Sequence, residues 1–321
     1  MPRPPKLTDD QRRRLGKLEP KLRRAARRGA YDEAKRLVRD IQAVLRPAEN
    51  ETRLQRAKNW CFEAAMEAGK LQIAKAGFEG VRGKTSSRTR VYLEATALLA
   101  VCHLRSGDRE SGEPLMAEAH RRVSNIKSDK KQVQFHRRLN SRFESEWALY
   151  VLGQDSSGVE VQPDSEQIYK DAGNLIATKN EDELLTFLGQ AVREDQVNQI
   201  MRVYEFSRKQ LPPGQQRFLP SPKSKRERKE IGKTLLASVR RVLWKSLCDP
   251  KSDVYTMWFT NGIKGLADYR VISGAVGMSL WNAGIGYIAF AAAAAAVVIK
   301  LGVEVFCDTY TPETLMIASH E

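Results

Sequence analysis

Apolar residues recur along this chain at intervals of three and four, the spacing that gathers side chains on one face of an α-helix. Strand-like alternation is nearly absent: the best fragment, Val159-Glu160-Val161, is too short to build on. Thr8 and Gln11 stand at capping-box spacing ahead of a stripe at Leu15, Leu18 and Leu22, with Pro20 predicting a kink or restart inside it. Tyr31 to Arg46 carries Ala34, Leu37, Val38, Ile41, Val44 and Leu45 on one face and stops at Pro47. Asn50 caps a helix bearing Leu54, Ala57, Trp60, Cys61 and Ala64, and Gly69 separates it from a shorter partner with Leu71, Ala74, Phe78 and Val81. The pattern returns with Val91, Ala95, Leu98, Leu99 and Cys102 before Gly107, and with Gly112, Leu115, Met116, Ala119 and Val123 after it. A long helix follows, striped by Phe135, Leu139, Phe143, Trp147 and Tyr150.

Residues 153–163 (GQDSSGVEVQP) read as a linker, and residues 212–222 (PPGQQRFLPSP), with four prolines and no periodicity, as the clearest boundary. Three helices are predicted between them, marked by Ile168, Leu175 and Ile176, by Leu184, Leu185 and Leu188 behind an Asn180 cap, and by Val197, Ile200 and Met201. Residues 223–248 read as an amphipathic helix with basic first turns, and residues 253–266 as a short helix. Val271 to Ile299 carries no charge over 29 residues. As one straight helix that run would reach about 43 Å, more than a bilayer core needs. Its glycines, at 274, 277, 284 and 286, and Asn282 predict instead a break and a hairpin of two shorter buried helices, with Lys300 and Glu304 continuing the second in polar form.

The segment Gly29-Ala30-Tyr31-Asp32-Glu33-Ala34 resembles the turn and second-helix start of a tetratricopeptide repeat. Gly69…Leu71…Ala74 and Gly107…Gly112…Ala119 repeat it more loosely, with turn glycines 40 and 38 residues apart rather than the family's 34, and without its first-helix Trp-Leu-Gly-Tyr pattern. The resemblance covers residues 8–150. It implies stacked antiparallel helix pairs with a protein or peptide held on a concave surface, and no catalysis. Leu247-Cys248-Asp249-Pro250-Lys251-Ser252-Asp253 and the run from Ile299 to Cys307 resemble short uncharacterised bacterial proteins, which implies no residue roles.

The predicted class is therefore all-α: an N-terminal α-solenoid of helix pairs (residues 1–152), further helices capping or extending it (164–211), and a hydrophobic helical module (223–321). Composition adds charge to this picture. The net charge is +15, and three blocks carry more than all of it: residues 1–30 hold eleven basic and three acidic residues, 121–142 eight and one, 222–245 nine and two. Such blocks suit phosphates or acidic partners as well as plain solvated faces. The candidate contacts are Arg12, Arg13, Arg14, Arg23, Arg24, Arg27 and Arg28 in the first block, and Lys223, Lys225, Arg226, Arg228 and Lys229 in the last. Residues 1–30 contain no aromatic residue, so a nucleic acid would meet phosphate contacts there and no base stacking.

Chemistry is sparse. The four cysteines (61, 102, 248, 307) show no close pairing, and no secretory leader is visible, which together predict a reducing, cytoplasmic setting. Cys61 and Cys102 fall on apolar stripes and read as core. No metal-ligand spacing links the histidines at 103, 120, 136 and 320. Gly80-Val81-Arg82-Gly83-Lys84-Thr85 ends like a phosphate loop but lacks its first glycine and its strand. These readings predict a non-enzymatic adaptor without cofactor or metal. Its repeats bind a protein or peptide, and its C-terminal module mediates oligomerisation or docking. The alternatives are a membrane-acting effector inserting residues 271–299 and a basic nucleic-acid-binding adaptor.

Overall fold

The computed structural model describes residues 6–154, 164–211, 213–216, 227–257, 267–310 and 314–316, and its regular elements are all helical. In chain order they are α1 (Asp9–Arg28), α2 (Tyr31–Leu45), α3 (Glu51–Glu67), α4 (Leu71–Lys84), α5 (Arg90–Arg105), α6 (Arg109–Arg122), α7 (Asp129–Gln154), α8 (Ser165–Thr178), α9 (Glu181–Gln190), α10 (Glu194–Lys209), the single turn α11 (Pro213–Gln216), α12 (Arg228–Leu247), the single turn α13 (Asp253–Tyr255), α14 (Ala267–Asn282), α15 (Ile288–Leu301) and α16 (Val303–Thr309). Of the predicted linker at 153–163, residues 153 and 154 belong to α7; residues 155–163 and most of 212–222, with Lys223, Lys225, Arg226 and the apolar residues of 258–266, lie outside the described residues.

Two compact units divide the chain. The first runs to Asn140 and includes Lys209–Leu211, residues 213–215 and Thr314–Met316; the second takes the rest of α7, the chain from α8 to Arg208, and the chain from Gln216 to α16. The division falls inside α7, upstream of the 153–163 stretch. Within the second unit, α8 and α9 bury their apolar faces against α12, α14 and α15. Sequence spacing marks each apolar face but not the face it will meet.

In the first unit each helix packs on the next from α1 to α6, and α1, α3 and α5 also pack on one another in sequence. That is the neighbour pattern of three stacked helix pairs. The three inner turns are built alike. At Gly29, Gly69 and Gly107, φ lies between 69° and 76°, a left-handed conformation that glycine adopts without a Cβ penalty. Each glycine N–H reaches the carbonyl three residues back, at 3.0–3.1 Å, and the next residue's N–H reaches the carbonyl five back, at 2.9 Å. These are Schellman closures that satisfy the helix's last carbonyls. Five residues past each glycine comes a buried small residue, Ala34, Ala74 or Gly112, where the second helix of the pair sits against the first. The Thr8–Gln11 capping box is present. Pro20, however, interrupts nothing: α1 is continuous through it. The carbonyl its missing N–H would have bonded belongs to exposed Gly16, where water can replace the lost partner.

The first unit also buries a histidine pair. His120 on α6 and His136 on α7 stack with ring centroids 5.3 Å apart and Nδ1 atoms 3.0 Å apart. Burial pushes His120 down to about 3, reinforced by the charge of His136, and pushes His136 down to about 4. The folded state therefore keeps both rings neutral where the unfolded chain, with an ordinary value of 6.5, takes up protons. Stability is complete above pH 6.5 and is lost as pH falls from there toward 4 and 3. The slope approaches two protons, or about 2.7 kcal/mol per pH unit. Amide exchange in α5 and α6 should accelerate steeply between pH 6.5 and 5, after correction for intrinsic rates. A His120→Gln, His136→Gln double variant should lose most of that dependence; an unchanged slope in it would assign the acid sensitivity elsewhere.

In the second unit the predicted hairpin is present. α14 and α15 pack antiparallel-capable faces against each other and against α8, joined by a turn in which Gly284 has φ 83°. Phe290 through Ile299 are all buried. Lys300 and Glu304 do not continue α15 as one helix: the chain breaks at Gly302, and α16 leaves at 91°. The ammonium of Lys300 instead reaches the carbonyls of Ile176 and Lys179 at the end of α8, where a cation complements the helix terminus. Among the described residues no single helix is long and apolar enough to cross a membrane; the bent pair α15–α16 meets the length and composition criteria together.

Cysteine pairing departs from expectation. Cys248, which ends α12, is disulfide-bonded to Cys307 in α16 across 59 residues of sequence, with Cα atoms 5.4 Å apart. The bond joins helix ends brought together only by packing, so no local spacing signals it. Cys61 and Cys102 are buried, as expected, and take no part in that disulfide; burial pushes the Cys61 thiol up to about 11.

Candidate interaction surface

The charged residues singled out in the sequence separate once they are placed. Arg12 and Arg13 pair with Asp9 and Asp10 of their own helix (2.5 and 2.8 Å), and Arg28 pairs with Glu33 at 3.0 Å. These are exposed or half-buried pairs of small energetic worth. Arg14, Arg24 and Arg27 are exposed on α1, and make no ion pair with any described residue. In the second unit, Arg228 donates to the carbonyls of Gly189 and Val192, closing the end of α9, and Lys229 pairs with Asp182 at 2.5 Å. Those two cations serve the unit's own packing. Gly29, Gly69 and Gly107 are turn positions, as predicted, and none contributes a binding group.

Arg23, one of the predicted contacts, opens onto a recess. It lies between α1 and α3, is open to solvent with a cavity volume of about 30 Å³, and is lined by Glu19, Leu22, Arg23, Arg53, Arg56, Ala57 and Trp60. Its floor follows from spacing on α3. Arg53, Arg56, Trp60, Glu63 and Glu67 stand at intervals of three, four, three and four residues, so they form one stripe along the helix. At the N-terminal end of the stripe, Arg53 holds Glu19 through two hydrogen bonds of 2.6 and 2.9 Å. Hydrogen bonding to Glu19 raises the Arg53 pKa further, against the opposing effect of burial. Arg56 is deeper: burial lowers its pKa, the charge of Glu94 counteracts this, and Arg90 and Arg23 add to the local positive field. Trp60 is only 5% exposed and supplies an apolar wall. At the C-terminal end of the stripe, Glu67 accepts from Arg105 of α5 at 3.0 Å.

The recess thus sets three guanidinium groups and an indole against one carboxylate. Such a lining favours a carboxylate on an apolar stem over a cation or an uncharged ring. Sequence periodicity places Trp60 on an apolar stripe but gives no reason to join it to Arg53 and Arg56. The signal that does so is the same three–four rhythm read for charged positions. Among the described residues no group of three or more His, Cys, Asp or Glu side chains could hold a metal ion. Gly80 and Gly83 lie within α4, so the residues ending in Gly83-Lys84-Thr85 form no phosphate-cradling loop. No protein-family model, curated protein or solved structure matches this chain.

Proposed function

We propose that this chain is a non-enzymatic interaction protein whose first unit binds a partner by seating an acidic segment in the recess between α1 and α3. The reading is carried by one observation: Arg23, Arg53, Arg56 and Trp60 converge on an open recess whose only acidic lining residue is Glu19. Cationic side chains beside an aromatic wall suit an acidic side chain presented by an extended peptide. The stack of helix pairs supports the reading, because side chains from α1 and α3 can meet one ligand without any conformational change.

Binding of fluorescein-labelled tetraglutamate to the full chain, followed by anisotropy, tests this. The expected result is saturable binding that weakens as salt rises and drops at least tenfold in Arg23→Glu and in Arg56→Gln. Absence of binding at low salt, or affinity unchanged in both folded variants, would remove the recess as the partner site.

A further inference from the structure

One part of the α3 stripe is already covered by the chain itself. Thr314, Leu315 and Met316 belong to the first unit although they are distant from it in sequence. The Thr314 hydroxyl donates to the Glu63 carboxylate, lying 2.7 and 3.0 Å from its two oxygens, 251 residues away along the chain. The same hydroxyl accepts the Met316 backbone N–H at 3.0 Å. That second bond folds the three residues into a tight turn, which presents Leu315 and Met316 on one side. Both side chains are buried, 2% and 1% exposed. A charge-assisted hydrogen bond and two fully covered apolar side chains are how a short linear segment is held on a helical surface.

The position of this contact matters as much as its chemistry. Glu63 is three residues past Trp60 and seven past Arg56 on the same stripe. At 1.5 Å per residue, the covered end lies about 10 Å along α3 from Arg56. An extended peptide crosses that distance in about three residues. A longer segment leaving the recess toward the C-terminal end of α3 therefore meets the turn formed by Thr314–Met316.

We propose that Thr314–Met316 is a built-in ligand of the α3 face. It occupies in cis the seat for a linear segment bearing a hydroxyl followed by two apolar side chains, and it must be displaced before a longer partner can run past the recess. This rests on the reading of α3 as a peptide-binding face, and it makes that face self-occupied at rest. Glu63, buried to 2% exposure, accepts the Thr314 hydroxyl, a contact that an aliphatic side chain cannot make.

The test supplies the segment in trans. The probe is a labelled peptide with the sequence of residues 311–321 (TPETLMIASHE), titrated into the full chain. It should bind Leu315→Asp, Met316→Asp at least tenfold more tightly than it binds the unmodified chain, whose seat is filled. Adding Glu63→Gln to the released chain should remove at least tenfold of that affinity. Equal affinity for released and unmodified chains, or no binding to the released chain, overturns the proposal. Should circular dichroism show the double variant unfolded, Thr314→Val gives the same comparison with only the hydroxyl removed and no charge added. Tetraglutamate titrated in parallel separates the two ideas. Tetraglutamate binding without peptide capture leaves the recess standing and ends the built-in ligand. Peptide capture without tetraglutamate binding does the reverse.

Discussion

Replacing Gly232 by alanine is expected to lower the unfolding free energy of the second unit by about 3 kcal/mol. Gly232 on α12 and Gly189 on α9 face each other where the two helices cross. A Cβ on Gly232 would lie 1.8 Å from the Leu185 carbonyl oxygen and 2.7 Å from its carbon. A Cβ on Gly189 would lie 2.0 Å from the Arg228 oxygen. The obstacle in each case is backbone, which cannot swing aside as a side-chain tip can. The helices would have to separate, loosening every contact along their seam. Alanine's better helix propensity returns only about 1 kcal/mol. Gly173, exposed in the middle of α8 with nothing within 4 Å of a Cβ, makes the contrasting case in the same unit. Gly173→Ala should stabilise by about 0.5–1 kcal/mol. Urea unfolding of both variants checks the pair, and equal effects would mean that α9 and α12 do not approach so closely.

A second large effect is expected on α7. Arg142 and Glu146 form an ion pair of 2.7 Å, one helical turn apart, with side chains only 7% and 2% exposed. Truncating Glu146 to alanine removes the carboxylate that faces a guanidinium only 7% exposed, a change that costs about 3 kcal/mol. Removing both charges together, in Arg142→Met, Glu146→Leu, should recover most of that loss, because the desolvation cost of the guanidinium goes with the pair. The double variant's urea midpoint should return to within reach of the unmodified protein. If Glu146→Ala alone is silent, water reaches the pair and its burial is not maintained in solution.

The sequence was most legible where structure depends on near neighbours. Thr8 and Gln11, the Asn180 cap, and the three turn glycines all act through bonds to residues within five positions, and each stands where the spacing puts it. The break in the uncharged run was legible for the same reason, since Gly284 marks its own turn. What escaped was everything made by distant segments meeting. Cys248 and Cys307 read as unpaired because 59 residues separate them. The helices of 164–211 read as capping or extending the repeats, and their apolar stripes could not name α12, α14 and α15 as the faces that α8 and α9 meet. Arg228 and Lys229 read as free cations, although their partners Gly189, Val192 and Asp182 come from α9 and the loop after it. Of the recess, only Arg23 was foreseen. Arg53 and Arg56 sit in a mixed-charge stretch whose net charge is small, so a search for basic blocks passes over them.

The bond between Cys248 and Cys307 turns the intervening polypeptide into a closed covalent loop that contains both α14 and α15. Stretched from its two ends, the oxidised protein can lengthen only around that loop. The 59 residues within it withhold roughly 200 Å of contour that a reduced chain would release. The alanine-rich hairpin is thus tethered at both sides to one point, and a pulling measurement with and without reductant would read the difference directly as a missing length.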